Sequence, residues 1–98
     1  MNLKQKEIVM AATHGQMECK LYPSAFSGEV VFQVNTTNEQ SYEGVAPKHY
    51  VESSTQPTQD GVDGQVKVRV LANGGNEARV SVPDGQVLSV SADKVHEI

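Results

Sequence analysis

The chain contains no tryptophan, three tyrosines, two phenylalanines, a single cysteine and no apolar run long enough to span a membrane. Each scarcity excludes something. With so few rings, broad aromatic binding platforms are ruled out, and the core has to be assembled from Val, Leu and Ile. The lone Cys19 excludes an intramolecular disulfide and any cysteine-rich zinc site, and it suits a cytosolic protein. The apolar run 8–12 follows Lys4 and Lys6 in the manner of a secretory signal, but five residues are too few for a signal core.

Positive charge is also scarce. Eight basic residues stand against twelve acidic ones, a net charge of −4, which opposes the counterion release that drives most nucleic-acid binding. The imbalance sits in the middle of the chain, where Glu29, Glu39, Glu43, Glu52, Asp60 and Asp63 face Lys48 alone. Such a segment either recognises a basic partner or is simply a solvated surface.

What is present is alternation. In residues 65–71, Val66, Val68 and Val70 alternate with Gln65, Lys67 and Arg69, and in 78–82 Ala78, Val80 and Val82 alternate with Arg79 and Ser81. With 86–90 these form a three-strand meander, because Asn73-Gly74-Gly75-Asn76 and Pro83-Asp84-Gly85 supply the backbone freedom for tight reversals. Upstream, Met17, Cys19 and Leu21 share one face of a strand over 16–22. Val30, Phe32 and Val34 share a face of 29–36, and the turn Asn35-Thr36-Thr37-Asn38 leads to a partner strand over 41–46. Gly44 within that strand predicts a bulge or a close backbone approach.

Residues 52–63 hold no aliphatic side chain except Val62 and read as a mobile loop. Residues 1–15 match neither period and read as an N-terminal appendage, a short helix or disordered. Met17 precedes the first clear strand, so translation starting there would make the leader dispensable. The 98 residues therefore hold one domain over 16–98, burying roughly 64% of its unfolded surface by area scaling. The expected fold is all-β, a small barrel or partly open barrel of five to seven short antiparallel strands.

The closing stretch Val90-Ser91-Ala92-Asp93-Lys94-Val95-His96-Glu97-Ile98 resembles the end of SH3-like barrels, where a strand runs into one turn of 3₁₀ helix and a short last strand. The resemblance implies that 91–94 form the turn, that Val95 and Ile98 bury their side chains, that 65–90 is the central meander, and that a hairpin within 28–51 replaces the long first loop. It covers about a third of the chain. Peptide-binding SH3 domains also carry an aromatic first-strand motif and a Trp opening the third strand; this chain has neither, so their proline-rich groove is not implied. The sequence also resembles small bacterial β proteins, which adds no chemistry.

The densest group of functional residue types is 42–50, where Tyr42, Glu43, Lys48, His49 and Tyr50 are the candidate partner-binding residues. The alternative is that the tyrosines seal the barrel mouth while Lys48 and His49 point into water. Cys19 with His49 would make a thiolate nucleophile only if the two met and the thiol pKa were depressed; on an apolar strand face, Cys19 reads instead as a packing residue.

His14, His49 and His96 lie in unrelated contexts without metal-ligand spacing, and Asp60-Gly61-Val62-Asp63-Gly64 lacks the later ligands of a calcium loop. No metal, cofactor or catalytic set is expected. Lys67, Arg69 and Arg79 form a cationic stripe suited to phosphate or an acidic protein. The function expected is a non-enzymatic protein-interaction module, with homo-oligomerisation or weak nucleic-acid binding as alternatives, and with no membrane partner.

Overall fold

The computed structural model describes residues 12–98. Its eight strands are β1 (Thr13–Pro23), β2 (Glu29–Asn35), β3 (Ser41–Pro47), β4 (Val51–Glu52), β5 (Val62–Gly74), β6 (Glu77–Ser81), β7 (Val87–Ser91) and β8 (Val95–Glu97). Single 3₁₀ turns occupy Lys48–Tyr50 and Ala92–Lys94. All pairings are antiparallel, in the order β3-β2-β1-β5-β6-β7. The sheet curls into a half-barrel.

Two long strands make the curl possible. β1 pairs with β5 along one edge; on the other it pairs first with β8, at Gly15–Met17, and then with β2, at Lys20–Pro23. β5 likewise pairs with β4 near its start and with β6 near its end. Each long strand therefore serves two sheet portions, and the bend between them encloses the core. The meander β5–β6–β7 ends in the second 3₁₀ turn, and β8 returns to the first strand.

The expected apolar faces pack together. Met17, Leu21, Val30, Phe32, Val34, Val66, Val68, Val70, Ala78, Val80, Val82, Leu88 and Val90 are buried, Cys19 packs against them, and valine dominates. The buried cluster contains no isoleucine, contrary to the expected composition, and Phe32 is its largest fully buried side chain. Val95 is buried as the 3₁₀ ending implies, but Ile98 is 79% exposed. Three residues apart on extended backbone, the two side chains fall on opposite faces, so both cannot enter one core.

Three boundaries differ from the sequence reading. β1 begins at Thr13 rather than 16, so residues 13–15 belong to the sheet; the rest of the expected appendage, up to residue 11, lies outside the described residues. An eighth strand, β4, adds to the expected five to seven because Val51 and Glu52 meet Val66 and Gln65 of β5. The bulge falls in β5, between Val70 and Ala72, where Leu71 is 44% exposed, while Gly44 marks a close approach. A Cβ on Gly44 would stand 2.7 Å from Phe32 Cζ and 2.5 Å from Asp84 Oδ2.

The 53–61 connection crosses the surface. Its end is fixed at Gly61, whose φ of +84° suits glycine and whose missing Cβ would lie 2.8 Å from the Tyr22 ring. Among the described residues, no helix is long and apolar enough to cross a membrane.

Candidate functional site

The β2–β3 hairpin carries the candidate residues, and its hydrogen bonds determine what it presents. Near its turn, Thr36 N–H donates to the Gln40 carbonyl at 2.8 Å; at its open end, Lys48 N–H donates to the Gly28 carbonyl at 2.8 Å. Bonded and non-bonded pairs alternate along an antiparallel ladder, so both ends place the mutual bonds at Val34↔Tyr42, Phe32↔Gly44 and Val30↔Ala46. The N–H and C=O groups of Ser41, Glu43 and Val45 therefore point away from β2. Pro47, which has no N–H, falls in the same outward class. No other strand pairs with β3, and no described group accepts a bond from those three N–H groups.

The opposite end of the sheet is partly closed. Thr37, at the hairpin tip, donates its N–H to the Ser89 carbonyl of β7 at 2.9 Å and its hydroxyl to Glu77 of β6 at 2.8 Å. Tyr42 OH donates to Asp84 Oδ2 at 2.6 Å, tying β3 to the β6–β7 turn. The tip occupies an outward carbonyl of β7, and β3 remains the open edge.

The five candidates do not form one patch. Tyr42 faces inward and is half-buried, its ring centroid 6.0 Å from that of Phe32. Its phenol is pushed up to about 12 by desolvation first, then by the hydrogen bond to Asp84 and that carboxylate's charge. This is the sealing role weighed as the alternative for the tyrosines. Glu43 points outward from the middle of β3 and is exposed.

Lys48, His49 and Tyr50 lie six to eight residues on from Tyr42, roughly 20 Å or more of chain at strand rise. They form the exposed 3₁₀ turn, with the His49 and Tyr50 rings edge to face at 4.9 Å. The structure thus supports a linear arrangement, edge then turn, rather than a cluster. Sequence reasoning missed Ser41 and Val45, whose significance is the direction of their backbone groups, and Asp84, a turn residue brought under Gly44 only by tertiary folding.

A shallow cleft of about 1480 Å³ lies alongside, lined in part by Cys19, Phe26, Lys48, Val51, Glu52 and Pro57. It shares only Lys48 with the candidate residues. Burial pushes the Cys19 thiol up to about 12, so it is protonated at neutral pH and a poor nucleophile, and His49 does not line the cleft. Among the described residues, no three His, Cys, Asp or Glu side chains are grouped to hold a metal ion.

The outer face of β5 and β6 exposes Lys67, Arg69 and Arg79; Glu77, which might have neutralised them, is bonded to Thr37 instead. Elsewhere on the outer surface, Lys20 pairs with Asp63 at 3.2 Å and His96 meets Glu18 at 2.7 Å.

Fold and site together define a small all-β half-barrel with one open sheet edge. No family model matches the chain, and no match is found among curated proteins or solved structures.

Proposed function

We propose that this protein is a non-enzymatic interaction module of the SH3-like small-barrel kind, which takes an extended polypeptide segment as an added strand along β3. The fold assignment is supported by the sequence of meander, 3₁₀ turn and a last strand returning to the first, with the β2–β3 hairpin in the place of a long first loop. The function rests on one observation, the outward N–H and C=O groups of Ser41, Glu43 and Val45 on an unpaired strand. Free donors and acceptors at strand spacing are a template for another extended chain. The turn Lys48–Tyr50 continues from that edge and offers side chains for selectivity.

The test uses labelled eight-residue peptides of alternating Thr and Val, with Ser-Ser, Lys-Arg or Glu-Glu at the centre. Binding of any of them should slow amide exchange at Ser41, Glu43 and Val45, and Val45→Pro should abolish it by removing one outward donor. If no peptide protects these amides, or if Val45→Pro binds unchanged, strand addition at β3 is wrong.

A further inference from the structure

We infer that the segment recruited by β3 is cationic at two consecutive positions, with one basic side chain opposite Glu43 and the next opposite Gly44. The inference rests on the strand-addition reading and adds the chemistry of the partner. A strand laid along β3 alternates its side chains between the two faces of the sheet. On the outer face its neighbours are Glu43 and Val45, both exposed. On the inner face, the position opposite Gly44 meets no β3 side chain, because the place of the missing Cβ lies 2.5 Å from Asp84 Oδ2.

Successive residues of the incoming strand therefore face two carboxylates, one on each side. Asp84 accepts the Tyr42 hydroxyl and retains acceptor capacity, and neither Asp84 nor Glu43 is in an ion pair among the described residues.

The same charges argue against a second copy as the occupant. Symmetric pairing about Gly44 would bring the Glu43 and Asp84 carboxylates of both copies to one seam, in a protein whose net charge is −4. Pro47 would also withhold a donor from each end of that ladder. A basic extended segment of another protein meets neither obstacle.

The three peptides distinguish these possibilities by fluorescence anisotropy at low ionic strength. The Lys-Arg peptide should bind about tenfold more tightly than the Ser-Ser peptide, the sum of two partly exposed charge pairs, and the Glu-Glu peptide more weakly than both. The advantage should shrink with added salt and in Glu43→Gln and Asp84→Asn, while the Ser-Ser affinity stays the same. Equal affinities for all three, with the β3 amides protected and Val45→Pro inactive, would overturn the charge assignment and leave strand addition standing. A dimer by sedimentation, with those amides protected in the absence of peptide, would overturn the choice of partner.

Discussion

At the scale of single residues, backbone direction matters more than side-chain type along β3. Val45 and Ala46 are neighbours, yet the Val45 N–H points outward while the Ala46 N–H belongs to the ladder with Val30. Val45→Pro should therefore leave the thermal midpoint within a few degrees of the parent. Ala46→Pro should cost about 3 kcal/mol or more, measured by urea unfolding. Gly44→Ala should cost about 1–3 kcal/mol, since its methyl group would meet the Phe32 ring and the Asp84 carboxylate at once. Cys19, half-buried with its thiol raised to about 12, should react with a disulfide reagent at pH 8 only as fast as the protein opens. Labelling at the rate of a free thiol would contradict that placement.

At the scale of elements, β1 and β8 depend on one another. Gly15, Gln16 and Met17 pair with Glu97, His96 and Val95, and Ile98 N–H donates to the His14 carbonyl at 3.0 Å. A chain begun at Met17 lacks four residues of β1 and half of this pairing, so the leader up to Gln16 is not dispensable to the sheet. Compared with a chain begun at Ala12, it should lose exchange protection in β8 first and unfold at a lower urea concentration. Equal midpoints would show that β8 holds without those residues. The turn between β2 and β3 illustrates a limit of local reading. Asn38 invites a left-handed residue, yet the positive φ of 65° falls on Glu39, because the Thr36 hydroxyl engages the Asn38 side chain and the Gln40 carbonyl.

At the scale of the whole molecule, two groups link stability to alkaline pH. Cys19 rises from 9.0 to about 12 and Tyr42 from 10.0 to about 12, so folding favours the neutral form of each. Their stabilisation is complete below pH 9, declines once the unfolded chain begins to ionise, and is lost as pH rises through about 12. Unfolding free energy should therefore fall between pH 9 and 11, and the Cys19→Ala, Tyr42→Phe double variant should show a shallower slope. Parallel slopes would mean that neither group is held neutral by the fold.

The sequence by itself determined the all-β class, the meander, the 3₁₀ ending and almost every inward-facing residue. These follow from period-two alternation and turn chemistry, which act between near neighbours. Only the tertiary structure decided that Tyr42 turns inward to Asp84, that Thr37 reaches β7, and that β3 is left open. Each depends on residues about forty or more positions apart meeting across a curled sheet, and alternation specifies which face a side chain takes without specifying which strand lies beside it. For the same reason Glu43 was legible as a candidate from its charge, whereas Ser41 and Val45 were not: what they offer is the direction of a peptide group, and that is set by the parity of hydrogen bonds along the hairpin.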